Sequence, residues 1–228
     1  MLSLDDMKKE LEKRLKKSRY VHSLGVMETS VALAKRFGVD VEKAAVAGLL
    51  HDCGREYETE NLVREAERWG ISFSNIERTM PLLLHAYVGA ARARELYGVE
   101  DGEILAAIYT HTVGGADMTD LQKIVWFADM IEPNRDYPGV DVLRECAREG
   151  ALDEMVLEGL TQSIIFVAKK GRLLHPMTIR ARNDGVDGQV TAITFAVTDK
   201  AGKMRNEVNA VLDDFRETVR AQNPSPDN

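Results

Sequence analysis

Apolar residues recur with a 3.6-residue period from the start of the chain to about residue 175, which predicts helices throughout that stretch. Ser3 is placed as the N-cap of a first helix that runs to about Lys16. A second carries His22 and runs to Phe37, with Gly38 as its stop. Asp40 caps VEKAAVAGLLHD, which is apolar on most faces and is therefore expected at the centre. Further helices are predicted over 59–69, closed by Gly70, over 74–84, ended or kinked by Pro81, and over 85–97, closed by Gly98. Asp101 caps GEILAAIYTHT, which Gly114 and Gly115 break, and Thr119 caps DLQKIVWFADMIE, which Pro133 stops. Two more fall near 141–149 and 152–170, with Gly171 as the last stop. The expected fold class is all-α, a helical bundle with short helix-to-helix loops.

The pattern changes after Asn183. DGVDG is rich in turn residues, and QVTAITFAV then alternates with a period of two, so a strand is expected over 189–198. Met204, Val208, Val211, Phe215 and Val219 mark an amphipathic helix over 203–220. Two parts follow, a domain of residues 1–183 and a strand-plus-helix extension of residues 184–228. A lone strand leaves backbone groups unpaired along both edges. Pairing with the same strand of a second copy would satisfy them, so a homodimer is expected over a fold-back.

Composition narrows the function classes. Of 228 residues, 44% are hydrophobic and 29% charged, which reads as globular. The net charge of −7 and the lack of a basic stripe argue against bulk nucleic acid as a partner. No apolar run reaches the roughly 20 residues that cross a bilayer, and the first residues alternate acid and base without a leader's apolar core. The expectation is a cytoplasmic protein with no membrane partner. Cys53 and Cys146 are too few for a disulfide framework or a thiolate metal set, and read as reduced thiols.

The histidines carry the chemistry. Of five, His22, His51, His85 and His111 stand beside small or apolar residues on helical stretches, and His51 is followed directly by Asp52. Burying several imidazoles and carboxylates without partners would cost several kcal/mol. Metal ions resolve that cost by taking neutral imidazole and carboxylate as ligands. Asp129, within the apolar run IVWFADMIEP, needs a cation or a cluster of donors for the same reason. Four His and two Asp, with no sulfur, point away from structural zinc and toward hydrolysis at two metals such as iron or manganese. Placed on one helix, His51 and Asp52 would diverge by about 100°. They could clasp one metal, or Asp52 could bridge two. His175, before Pro176, reads as structural or exposed.

The order H…HD…H…H…D resembles the HD superfamily of phosphohydrolases. Five segments resemble its YqeK-type branch, the symmetrical bis(5'-nucleosyl)-tetraphosphatases: RYVHSLGV at 19–26, AGLLHDCGR at 47–55, HAYVGA at 85–90, EILAAIYTHTVG at 103–114 and KIVWFADMIEPNRDYPGV at 123–140. The resemblance covers roughly residues 10–183 and implies an HD-domain bundle. It implies two divalent or mixed-valence ions, usually iron, holding a hydroxide that attacks a polyphosphate. His22, His51, Asp52 and Asp129 would hold one ion; Asp52, His85 and His111 would hold the other. The implied reaction splits diadenosine tetraphosphate into two ADP, with His51 and Asp52 at the catalytic core.

Arg135, Lys123, Arg19 and Thr112 are the candidate substrate-binding residues, each set against a blander reading as a loop, surface, ion-paired or back-bonded side chain. Arg55 stands where the family often has Lys. The alternatives are another HD phosphohydrolase, such as a nucleotidase or guanosine-tetraphosphate hydrolase, an HD-fold di-iron oxygenase, or a metal-free signalling module. The oxygenase would call for further His ligands, and the signalling module for lost ones.

Overall fold

The structure, a computed structural model, describes residues 1–184. The helices are α1 (Leu4–Arg14), α2 (Lys17–Phe37), α3 (Val41–Leu50), α4 (Leu62–Arg68), α5 (Asn75–Thr79), α6 (Leu84–Tyr97), α7 (Gly102–Thr110), α8 (Asp120–Ile131), α9 (Val140–Glu149), α10 (Leu152–Lys169) and α11 (Pro176–Asp184). Short 3-10 turns occupy Cys53–Glu56, Thr59–Asn61 and Pro81–Leu83. No strand occurs among the described residues, in keeping with an all-α domain. The predicted strand and helix at 189–198 and 203–220 lie outside the described residues.

Side-chain caps set several of the helix starts. Ser3 accepts from the Asp6 amide, and Asp40 from those of Glu42 and Lys43. Asp101 accepts from Glu103 and Ile104, and Thr119 closes a capping box with Gln122. Each such cap contributes about 1 kcal/mol. Gly38 and Gly98 end α2 and α6 in the left-handed conformation. The central helix is α3, buried without interruption from Ala44 to Leu50 and packed between α2, α7 and α8. Leu49, Leu50, Ile108, Ile124 and Phe127 are inaccessible in the main core. A smaller core of Leu62, Ala66, Leu84 and Val88 joins α4 to α6.

One expectation is sharpened and two change. Of the end or kink expected at Pro81 in the 74–84 helix, the structure shows an end: α5 stops at Thr79, Met80 leaves helical geometry, and Pro81 opens a 3-10 turn. Proline restricts the residue before it to extended conformations, which explains the break. Helix α3 ends at Leu50, so His51 is its cap and Asp52 lies beyond it, at the head of the turn Cys53–Glu56. The 100° divergence expected of two residues within one helix therefore does not apply. Finally, α11 extends the helical region past residue 175; Thr178 donates to the Val113 carbonyl, and Ala181 is buried.

Candidate metal centre

Five helices bring the predicted residues together. His22 lies within α2, His51 caps the C-terminus of α3, His111 caps that of α7, and Asp129 stands in the last turn of α8. His85 is in the first turn of α6. Three of the five thus present C-terminal ends, where the partial negative charge of the helix favours a cation. Gly54 lets the turn after the dyad lie against α6. A Cβ at that position would stand 2.1 Å from the His85 carbonyl oxygen and 2.9 Å from the Gly89 nitrogen.

Asp52 is the hub. Its Oδ2 lies 3.7 Å from His22 Nε2 and 3.5 Å from His51 Nε2; its Oδ1 lies 3.1 Å from His85 Nε2 and 3.7 Å from His111 Nε2. Asp129 Oδ1 joins the first group, 2.9 Å from His22 Nε2 and 3.7 Å from His51 Nε2. The two oxygens of one carboxylate thus face two sets of donors. Ligand atoms of His22, His51 and Asp129, and of His51, Asp52 and His111, are close enough to share an ion.

The hydrogen bonds behind the rings set their tautomers. His51 Nδ1 donates to the Gly48 carbonyl at 2.8 Å, His111 Nδ1 to that of Ile108 at 2.7 Å, and His85 Nδ1 to that of Leu82. His22 Nδ1 donates to Glu132 Oε1 at 3.1 Å. Each neutral ring then turns a bare Nε2 lone pair into the cluster. Those lone pairs face each other, His22 against His51 at 3.2 Å and His85 against His111 at 3.1 Å. Lone pairs so close repel unless a cation draws on both. The donor set therefore fits a metal on each side of Asp52. Burial opposes ionisation of both aspartates, but their neighbours outweigh it. Positive charge at His51 and hydrogen bonds donated by His111, His51 and His85, in place of the ions, hold the Asp52 carboxyl well below the usual carboxylate range. His22, His51 and Arg135 do the same for Asp129.

The candidate substrate residues divide. Arg19 Nη1 reaches Asp52 Oδ2 at 2.8 Å, and Arg135 binds the Asp129 carboxylate and, through Nε at 2.7 Å, its carbonyl. Thr112 Oγ1 lies 3.2 and 3.1 Å from Nε2 of His85 and His111, whereas Thr110 bonds back to the Ala106 carbonyl. Lys123 is not brought to the cluster; Asp153 holds its ammonium at 2.6 Å. Arg55 has neither a side-chain hydrogen bond nor an ion pair among the described residues, and burial lowers its pKa while the Asp52 and Asp129 charges favour its cation. His175 is structural: its Nε2 meets Glu77 Oε1 at 2.9 Å.

Two residues received no role from sequence. Glu132 is 1% exposed and backs His22; its only sequence signal is a charge directly after the apolar run of α8. Arg144 donates to the carbonyls of Ile131, Glu132 and Arg135 and so pins the loop that carries Arg135. Nothing in its local sequence marks it.

Several known proteins are similar to this chain. The HD domain family profile matches residues 19–134. A protein of Halalkalibacterium halodurans named bis(5'-nucleosyl)-tetraphosphatase, symmetrical, is 39% identical over 74% of this chain and 89% of its own length. A Bacillus subtilis protein of the same name is 36% identical over 78% of this chain and 95% of its own. A crystal structure of a predicted HD superfamily hydrolase involved in NAD metabolism, from Clostridium acetobutylicum, superposes with a TM-score of 0.78 at 39% identity, covering 82% of this chain and 98% of that one. With a helical domain of the same shape and a family match across the His and Asp cluster, the chain belongs to the HD-domain family, in the branch of the symmetrical bis(5'-nucleosyl)-tetraphosphatases.

Proposed function

We propose that the protein hydrolyses dinucleoside polyphosphates, splitting diadenosine tetraphosphate into two ADP, at a dinuclear centre held by His22, His51, Asp52, His85, His111 and Asp129. The observation that carries this reading is the Asp52 carboxylate, with one oxygen toward each of two sets of imidazole donors. Asp52 would bridge the two ions, of which iron is the metal we propose, with manganese or another divalent ion as a substitute. When bound, such a pair lowers the pKa of water and neutralises phosphate charge.

The chain's own residues do the rest. Arg19, Arg55 and Arg135 stand around the cluster, and a guanidinium fork matches a phosphate better than a point charge does. Arg55, with no carboxylate partner, would take a phosphate oxygen without breaking an existing contact. Arg19 and Arg135 would exchange aspartate oxygens for phosphate oxygens. The Thr112 hydroxyl, beside Nε2 of His85 and His111, would donate to another. Lys123 is given no such part while Asp153 holds it. In the reaction a water oxygen bonds to phosphorus, the bridging P–O bond at the middle of the chain breaks, and ADP departs. ADP is stable as an anion, so a strong general acid is not required, and positioning with charge stabilisation supplies most of the rate.

The proposed catalytic unit is residues 1–183, since every ligand lies before residue 130. No helix among the described residues is long and apolar enough to cross a membrane. The test is elemental analysis of the purified protein, followed by incubation with diadenosine tetraphosphate and chromatography of the products. ADP alone is the expected product. AMP with ATP would refute symmetrical cleavage, and no cleavage at all would refute the substrate.

A further inference from the structure

The four imidazoles are not held alike. His51, His85 and His111 each donate Nδ1–H to the carbonyl three residues earlier. They can do so because each stands at a helix boundary: two are C-caps, and the third follows the 3-10 turn Pro81–Leu83. His22 lies inside α2, where the backbone carbonyls are committed to the helix ladder. Its partner must come from another element, and it is Glu132 at the end of α8.

Glu132 is built to stay there. Its Oε2 accepts from the Asn134 backbone amide at 2.8 Å and from Asn134 Nδ2 at 2.9 Å. Its backbone carbonyl accepts from Arg144. On α2, Gly25 makes room for it: a Cβ there would stand 2.5 Å from Glu132 Oε2. A charged acceptor behind a ligating imidazole fixes the ring and strengthens its outward nitrogen as a donor more than a neutral carbonyl does.

We infer that Glu132 is a positioning residue that makes the two halves of the centre unequal, so that the side of His22, His51 and Asp129 takes its ion first and more tightly. The inference rests on the dinuclear reading above. That side also holds one more carboxylate, Asp129, than the side of His85 and His111. Arg19 and Arg135 oppose this by occupying the same carboxylates, but their side chains are 31% and 34% exposed and can turn outward. Glu132, at 1%, cannot.

The test is calorimetric titration of the metal-stripped full chain with Mn2+. The wild type should bind two ions in resolved steps. Glu132→Gln keeps shape and an acceptor oxygen but removes the charge, and should weaken the tighter step by about 10–100-fold while leaving the weaker one within a few-fold. In a His22→Ala background the same change should have almost no effect, because it acts through that ring. Gly25→Ala, which displaces the carboxylate without altering its charge, should reproduce the selective loss; thermal unfolding of each metal-free variant reports whether it is folded. Equal weakening of both steps, no weakening in Glu132→Gln, or an undiminished effect without His22 would overturn the inference while the two-ion reading stands. A wild-type chain that binds no Mn2+ would overturn both.

Discussion

Gly54→Ala is expected to damage both stability and the centre. The new Cβ would stand 2.1 Å from the His85 carbonyl oxygen, 2.9 Å from the Gly89 nitrogen and 3.1 Å from the Gly89 Cα, where ordinary contact begins near 3.4 Å. All three neighbours are backbone, so no side chain can rotate away. The turn Cys53–Glu56 and α6 would have to part by more than an ångström. Overpacking a core typically costs 1–3 kcal/mol, and with rigid neighbours the upper end, about 3 kcal/mol, is expected. For a chain of this size that lowers the melting temperature by roughly 6–12 °C. The same separation moves Asp52 away from His85, now 3.1 Å apart, so metal occupancy beside His85 and His111 should fall as well. The assay is thermal and denaturant unfolding of the metal-free chain, with metal content measured on the same preparation. Gly102→Ala is the control: its Cβ meets nothing within 4 Å at the start of α7, and it should be neutral or stabilising. If Gly54→Ala matched wild type in both stability and metal content, the packing argument would fail.

Asp52→Asn should lower turnover of diadenosine tetraphosphate about a hundredfold or more, since the bridging charge is lost; a variant that keeps most of its rate would rule out bridging. Deletion of residues 186–228 should leave turnover largely intact and change assembly or stability instead, as read by light scattering; loss of turnover with metal still bound would place the extension in the catalytic machinery. His175→Ala should cost about 1–2 kcal/mol of stability and leave turnover unchanged, because the ring serves Glu77 at 2.9 Å and not the cluster. Burial alone would raise the Glu77 pKa, but bonds from Ser74 and His175 bring it down to about 2 from an ordinary 4.5. A depressed carboxyl contributes stability that is present above the ordinary value and is lost as pH falls through the depressed one. Unfolding midpoints should therefore depend more steeply on pH between about 4.5 and about 2 in wild type than in Glu77→Gln; identical profiles would show that the carboxylate contributes nothing.

What the sequence determined by itself was local. Ser3, Asp40, Asp101 and Thr119 start helices, and Gly38 and Gly98 end them, because a cap depends on amides and carbonyls within four residues. The six candidate ligands were legible for a related reason: a buried His or Asp on an apolar stretch is costly alone, whatever the fold around it. The end of α3 before Asp52 was lost, because periodicity runs on through residues whose backbone has already left the helix, whereas the break before Pro81 was legible from the proline itself. Only the tertiary structure decided that the two oxygens of Asp52 face different imidazole pairs, since those rings arrive from α2, α3, α6 and α7. It alone sends Lys123 to Asp153, joins His175 to Glu77 across 98 positions, and sets Glu132 behind His22 across 110. Those contacts depend on how closely helix backbones approach, and at Gly25 and Gly54 that approach is set by the absence of a side chain whose neighbours are distant in the chain.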